Sequence, residues 1–504
     1  MTPRISGLVS GVLAALSLPP FHLWPLVFVA LVPLAFTLAR EGVTRADASW
    51  AGVGFGAGFY GLLLHWVPFT MSGIVPLGWL IGSLGVFVLV GVAGLQGVLL
   101  WELLRRRSRG SSAPVLILPA IWVTVEWFLA AAGPLAVPWT PLGLALAPAP
   151  EVASVAEWVG VRGLGLWIAT VNGIFVVAAR APSARLGAGW SGVALLAFLL
   201  PSSAGTIRTA TLELEALPAI LVGRMTLDRT VLLDPERRDL QVSRALTRMA
   251  EDAGEAVSLM EPSLRPVVAL LPEAPFGSTM DGEVEEELMK VARTLGMPLL
   301  AGAHVVGARG RENAIVLLED SRGSRIVHGK RRLVPGVERP GLVPGEPGSV
   351  LDLGGVGLAF AVCFESAFSS DVRALRRAGA DLLVNPTNDA WYSPRLPGGL
   401  SAAHHQHRAH LVLRAIETRM GAVRSPLGGE LLVVAPTGRI TRALPPGGEG
   451  FDLVNPSGSS VVPMYVRTGD LAGPFAALLL LGLLAGGRSR SPSGRTRDVA
   501  LRAT

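Results

Sequence analysis

Three reactive side chains stand at or just past the ends of short apolar runs. Glu273 follows VVALLP (267–272), Lys330 lies in IVHGKRRLVP (326–335), and Cys363 closes GLAFAVC (357–363). A cysteine attacks as its thiolate, so at neutral pH it needs a base for its proton or a cation for its charge. A carboxylate supplies the first. An ammonium supplies the second and can also hold the oxyanion of a tetrahedral intermediate. Together the three suffice for acyl transfer without a metal. Each alone is ordinary: a lone cysteine at a strand end is commonly a small buried hydrophobe, a glutamate there a solvated turn residue, and a lysine surface charge. The combination carries the reading. Cys363 is the only cysteine of 504 residues, and Lys330 is one of two lysines, with Lys290. A single thiol excludes an intrachain disulfide and any multi-cysteine zinc or iron–sulfur site.

Such groups must be held on a rigid base, and strand ends in α/β folds provide one. Residues 204–467 read that way. Strand-length runs recur at 219–223, 267–272, 298–306, 313–320, 357–363, 381–386 and 430–436, punctuated by Gly and Pro. Helical patterns fall between them at 283–294, 370–378 and 404–418. The alternation predicts an α/β sandwich.

The rest of the chain has a different character. Half the residues are hydrophobic and only 16% are charged, against about 25% in soluble domains. Apolar spans near 5–19, 23–39, 50–67, 76–103, 114–131, 160–180 and 187–202 fill residues 1–203. About 20 apolar residues cross a hydrocarbon core. The first span is short, and a cleaved signal segment is its alternative reading. A last span, 468–487, precedes a basic tail, 488–504. The loops at 40–48, 104–112 and 180–186 carry Arg, whereas those at 20–22, 68–75 and 132–159 carry neither Lys nor Arg. Positive loops stay cytoplasmic. Both termini are therefore expected inside and residues 204–467 outside. The net charge of +6 is largely this topology signal, which weakens a nucleic-acid reading.

The motifs also resemble a known family. LLPEAPFG (270–277), GKRRLVPGVE (329–338) and AVCFES (361–366) are similar to the Glu-Lys-Cys motifs of the nitrilase, or carbon–nitrogen hydrolase, superfamily. SLPPFHLWPL (17–26), GVGFGAGFYGLLLHWV (52–67), VPWTPLG (137–143), GVRGLGLWIATVNG (160–173), NDAWYSP (388–394) and QHRAHLVLRAIETR (406–419) resemble the bacterial apolipoprotein N-acyltransferases. The resemblance spans almost the whole chain. It implies about eight transmembrane helices, seven before and one after a nitrilase-like αββα sandwich, in the bacterial inner membrane. It implies Glu273 as general base, Lys330 as stabiliser of thiolate and oxyanion, and Cys363 as nucleophile. Glu338, Asn313 and Glu365 fall on supporting positions, and Trp391 and Phe364 at the substrate mouth. The implied reaction is ping-pong: a phospholipid acylates Cys363, and the N-terminal amine of a diacylated lipoprotein takes the acyl group. No cofactor and no metal are implied.

Four stretches depart from the family pattern. Phe364 stands where Tyr is common, VGRMTLDRTV (222–231) lacks the usual Asn and Trp, PGVE replaces PFGE, and RSPLGGE (424–430) replaces an Asn-containing run. The stretch between NDAWYSP and QHRAH is also longer than usual. These leave two alternatives open: a membrane-tethered amidase or hydrolase using the same three residues, and a weakly catalytic lipoprotein-binding relative. The histidines 404, 405, 407 and 410 lack the carboxylate cluster expected of a metal site. Glu126 and Arg162, polar residues inside apolar spans, invite either a functional role or a polar contact between helices.

Overall fold

The computed structural model describes residues 1–107, 112–227, 229–338, 341–346, 348–392 and 401–486. The apolar part comprises α1 (Pro3–Ser17), a 3-10 turn (Trp24–Phe28) leading into α2 (Val32–Leu38), α3 (Arg45–Leu63), α4 (Gly78–Arg107), α5 (Pro114–Ala131), α6 (Ala156–Ala179) and α7 (Ala184–Ala210). Among the described residues α4, α5, α6 and α7 are long and apolar enough to cross a membrane. α4 turns Leu84, Phe87 and Leu95 outward, and α7 turns Leu195, Leu196 and Leu200 outward; such apolar exteriors suit lipid. α1 crosses α3 at backbone contact. A Cβ on Gly7 or Gly11 meets the carbonyls of Ala51 or Phe55, and one on Gly54 or Gly58 meets those of Arg4 or Leu8. Small residues allow the close approach that helices use to associate in lipid.

Two expected spans differ in detail. The span at 50–67 begins earlier, at Arg45, and ends at Leu63, with a separate short helix, Trp66–Ser72, after it. The span at 187–202 runs on to Ala210, past the boundary read at 203. The expected last span is the helix Ala472–Ala485, packed on α5 and α6. The basic tail lies outside the described residues.

The second part is two six-stranded sheets. One has the order β12-β1-β2-β3-β4-β5, with β1 Ile220–Arg224, β2 Ala269–Leu270, β3 Leu299–Gly307, β4 Gly310–Glu319, β5 Gly323–Gly329 and β12 Gly450–Val454. The other has the order β11-β10-β9-β8-β7-β6, with β6 Leu351–Leu353, β7 Val356–Phe360, β8 Leu382–Asn388, β9 Gly421–Leu427, β10 Leu431–Val434 and β11 Ile440–Leu444. In each sheet three central strands run parallel, β1-β2-β3 and β7-β8-β9, flanked by antiparallel partners. Alternation of side chains builds the layers. Ile220, Val222, Leu382 and Val384 point between the sheets. Leu221 faces α8 (Pro235–Ser258) and α9 (Gly282–Leu295) on the far side of the first sheet. Leu383 faces α10 (Ser369–Arg377) and α11 (Ala402–Thr418) on the far side of the second.

That last layer rests on the apolar helices, so one continuous core joins α11 to α6. Gln406 of α11 fixes the seat. Its Oε1 accepts Nε1–H bonds from Trp66 (3.1 Å) and Trp139 (2.6 Å), and its Nε2 donates to the Leu63 carbonyl (2.8 Å). Glu417 accepts the Val161 N–H (2.6 Å), and Arg419 pairs with Glu157 (2.8 Å). His22, Trp66 and Trp139, in or beside the arginine-free loops, make ring contacts with His405, Tyr392 and Phe364 respectively. The loops without Lys or Arg thus face the sandwich.

Candidate active site

Glu273, Lys330 and Cys363 each sit just beyond a strand end, of β2, β5 and β7. The turn after Glu273 puts Ala274 at φ 36°, and Cys363 itself has φ 48°. Left-handed backbone is sparsely populated for residues other than Gly and Asn; here it turns the chain sharply out of the strand. Lys330 is held from both sides: its N–H donates to the Asn313 carbonyl (2.7 Å), and its carbonyl accepts from Gly345 N–H (2.9 Å).

The ammonium of Lys330 is 1% exposed and donates to Glu273 Oε1 at 2.7 Å and Glu338 Oε1 at 2.8 Å. Asn313 Nδ2 bridges the same two oxygens, at 2.8 and 3.2 Å. The other oxygen of Glu273 accepts the Asn388 N–H (2.8 Å), and that of Glu338 accepts the Val334 N–H (2.7 Å). Burial alone pulls an ammonium down, but Glu273, Glu338 and the nearby thiol push Lys330 well above its ordinary range. It is a permanent cation at neutral pH.

Cys363 is buried. Its thiol is pushed well above the ordinary range, first by burial, then by Glu273, with Lys330 pulling the other way. The resting group is a neutral thiol within electrostatic reach of both residues. It therefore needs a base at the moment of attack: Glu273 acts on it electrostatically, and Asp389 and His407 place donor atoms within 4.8 Å of the sulfur. The amide N–H of Phe364, one bond further on, has no acceptor among the described residues. Glu365 braces the turn. Its carboxylate accepts N–H bonds from Val362 (2.8 Å) and Arg331 (2.8 Å) and contacts His328 Nε2 (3.0 Å). Burial raises this carboxyl, but His328 and the backbone donors bring it below its ordinary value. One side chain thus ties the cysteine turn to the lysine loop.

Of the residues expected at the substrate mouth, Phe364 is half-buried, with Trp139 at 5.8 Å and Phe368 at 5.1 Å between ring centres. It edges a cleft lined also by Arg331, Arg332, Leu333 and, from the preceding loop, Gly133, Pro134 and Ala136. Trp391 packs half-buried against the α8–α9 side of the first sheet; residues 393–400, where the long insertion begins, lie outside the described residues. Arg224, one of the departures, is held by Asp452 across β1 and β12 (2.6 Å). Glu126 accepts the Leu142 N–H (2.9 Å), and Arg162 pairs with Asp470 (2.6 Å) just before the last helix, so both make polar contacts between elements.

Several site residues carried no role in the sequence reading: Asp389, Arg424, Asn388 and Tyr392. A signal existed for Arg424, a charge inside the otherwise uncharged run GAVRSPL. The histidines diverge. His404 contacts Ser401, His405 faces His22, and His410 faces the Trp139 carbonyl. Only His407 approaches other potential metal ligands, with Cys363 and Asp389, all donor atoms lying within 4.8 Å of one another. Arg424 already pairs with Asp389 and donates to His407. A guanidinium in that position supplies the positive charge a metal ion brings, and the donor set does not fit one.

Residues 10–174 match the model of the apolipoprotein N-acyltransferase N-terminal domain, and residues 262–452 match that of carbon-nitrogen hydrolase. An apolipoprotein N-acyltransferase of Gloeobacter violaceus is 30% identical over 97% of this chain and 95% of that protein. One of Geobacter metallireducens is 27% identical over 88% of this chain and 87% of that protein. A solved amidase from Nesterenkonia sp. aligns at 22% identity with a TM-score of 0.37, over 51% of this chain and 95% of its own. With a carbon-nitrogen hydrolase domain set on apolar helices, and with similarity to such relatives along nearly its whole length, the chain belongs to the apolipoprotein N-acyltransferase family.

Proposed function

We propose that this chain transfers a fatty acyl group from a phospholipid to the α-amine of a lipoprotein's diacylglyceryl-cysteine. Glu273 takes the thiol proton as Cys363 Sγ attacks an acyl ester carbonyl. Lys330 and the Phe364 N–H hold the oxyanion. The ester C–O bond breaks, Glu273 returns its proton to the leaving oxygen, and a lysophospholipid departs from the thioester. The lipoprotein amine then attacks, an amide forms, the C–S bond breaks, and Glu273 relays the amine proton back to sulfur. Glu338 and Asn313 orient Glu273 and Lys330, Glu365 fixes the cysteine turn, and Phe364 borders the lipid entry, whereas Trp391, packed on the α8–α9 side of the first sheet, is not assigned there. The observation that carries this reading is the buried Glu273–Lys330–Glu338 cluster beside the only thiol, in a domain seated on apolar helices.

The eight apolar helical segments cross the bacterial inner membrane in this reading, with both termini cytoplasmic and the sandwich on the outer face. The arginine-free loops that contact the sandwich support that orientation. Both substrates are confined to the same bilayer, so seating the domain on it raises their effective concentration. Aromatic rings of Trp66, Trp139, Phe364 and Tyr392 keep water from the thioester.

Intact-mass analysis of the protein with phospholipid tests this. An acyl adduct on Cys363, absent in Cys363→Ser and discharged by a diacylated lipopeptide, is expected. Discharge by water alone points to a hydrolase, and transfer surviving in Cys363→Ser overturns the mechanism.

A further inference from the structure

One buried charged group has no part in these steps. Asp389 at the end of β8, Arg424 in β9 and His407 in α11 are each no more than 1% exposed and lie behind the Cys363 turn. Arg424 pairs with Asp389 and donates from Nη2 to His407 Nδ1 at 2.8 Å. Arginine only donates, so Nδ1 holds a lone pair and the ring proton is on Nε2. The Cys363 carbonyl, which only accepts, lies 2.9 Å from Nε2 and demands the same tautomer. Nε2 also lies 3.0 Å from Ser366 Oγ, and the contact of Nδ1 with Asp389, at 3.2 Å, is the longest of the four and the one this tautomer leaves unserved. Burial and then the Arg424 charge hold the imidazole below its ordinary range, hence neutral. The same carbonyl also accepts from Ser366 Oγ at 3.0 Å.

The consequence falls on the other side of the peptide. The Cys363 carbonyl and the Phe364 N–H belong to one planar trans unit and point in opposite directions. Pinning the carbonyl toward α11 aims the unpaired N–H away from it. Because Cys363 adopts φ 48°, a costly conformation for a side-chain-bearing residue, the orientation has to be enforced by its surroundings.

We propose that Asp389, Arg424 and His407 form a positioning network. Arg424 fixes the His407 tautomer, and His407 Nε2–H fixes the Cys363–Phe364 peptide, so that the Phe364 N–H faces the acyl oxygen as it becomes an oxyanion. In this proposal the three act through the peptide, with the Asp389 and His407 donor atoms and the thiol within 4.8 Å of one another. The inference rests on acyl transfer through Cys363.

The test compares two reactions of full-length His407→Ala and His407→Gln protein. Acylation of Cys363, by phospholipid vesicles and separately by a p-nitrophenyl fatty ester, needs the oxyanion donor. Alkylation by iodoacetamide, a displacement at saturated carbon, does not. His407→Ala is expected to slow acylation by about 100-fold and to leave alkylation unchanged. His407→Gln, which keeps an N–H donor near the Nε2 position, is expected to recover most of the loss. Unchanged acylation in His407→Ala, a parallel fall in alkylation, or equal loss in both variants overturns the proposal. Failure of the wild-type protein to react with phospholipid, while the p-nitrophenyl ester still acylates it, overturns the phospholipid reading instead. The His407 comparison then stands on the ester.

Discussion

Replacing Lys330 by Met removes the one cation between the buried carboxylate of Glu273 and the partly buried one of Glu338. Glu273 Oε1 and Glu338 Oε1 both lie on Nζ, at 2.7 and 2.8 Å, and so stand at most about 5.5 Å apart. Without the ammonium, two charges at that separation repel by about 3 kcal/mol at an effective dielectric of 20. Taking up a proton relieves the repulsion but costs a similar amount: about 3 kcal/mol at pH 7 for a carboxyl of ordinary acidity. Either route leads to a loss of roughly 3–5 kcal/mol, the usual cost of breaking a buried pair from one side. For a domain of this size that is a fall in Tm of roughly 6–20 °C. Thermal unfolding in detergent followed by near-UV circular dichroism reads it directly, and intact mass reads the acyl adduct, expected to vanish. The double variant Lys330→Met/Glu338→Gln isolates the cause: it removes one of the repelling charges and is expected to regain most of the stability but none of the activity. Stability within about 1 kcal/mol of wild type for the single variant, or acylation retained by either variant, refutes the reasoning.

Three further outcomes follow from the same geometry. Because Glu273 raises the thiol, Glu273→Gln is expected to speed iodoacetamide alkylation of Cys363 at pH 8 while slowing acylation by about 100-fold or more through loss of the base; a fall in both rates contradicts the assigned role. Glu365 has a lowered native value, so its contribution is complete above its ordinary 4.5 and is lost as pH falls through the native value. Glu365→Gln is expected to cost about 2–3 kcal/mol at pH 7 and to flatten the acid limb of a Tm-against-pH curve, and an unchanged acid limb contradicts the bracing role. Gln406→Leu takes the side-chain partner from two indole N–H groups and from the Leu63 and Pro19 carbonyls at the seat of α11, and calorimetry is expected to show a loss of about 2–4 kcal/mol.

Glu273 and Cys363 stood out because each follows an apolar run, and a reactive group after a buried strand is a visible break in pattern, whereas Lys330 stood out as one of only two lysines. The strands that went unread have no such run. β5 (GSRIVHG), β11 (ITRAL) and β12 (GFDLV) are edge strands or exposed on one face, so polar residues interrupt their apolar runs. β9 is buried throughout, yet Arg424 and Pro426 interrupt it. Its arginine is tolerated because Asp389 neutralises it, a partner 35 residues away that no local pattern reveals. α8 went unread for another reason. Its buried stripe, Val242, Ala245, Leu246, Met249, Ala250, Ala253 and Val257, has helical spacing but is rich in alanine and lies among many charges. The apolar helices were legible from hydropathy, but the kind of contact that joins α1 to α3 depends on glycines whose value is the side chain they lack.

The charge of the site links the two half-reactions. Glu273, Glu338 and Lys330 together carry two negative charges against one positive, and Arg424 and Asp389 cancel each other. Burial first, and then this surplus negative charge, hold the resting thiol protonated, which protects the only thiol from oxidation. It costs reactivity, and in the proposed mechanism Glu273 recovers that by taking the proton only as the ester carbonyl arrives. After acylation the thioester is neutral and the surplus remains. The incoming α-amine is largely protonated at neutral pH, so the same charge draws it in, and a carboxylate is free to take the proton that must leave before nitrogen can attack. Water gains no comparable attraction. A cluster with equal numbers of carboxylates and ammoniums loses this preference, which is why Glu338, too far down the chain from Glu273 to share a strand end, belongs on the same ammonium.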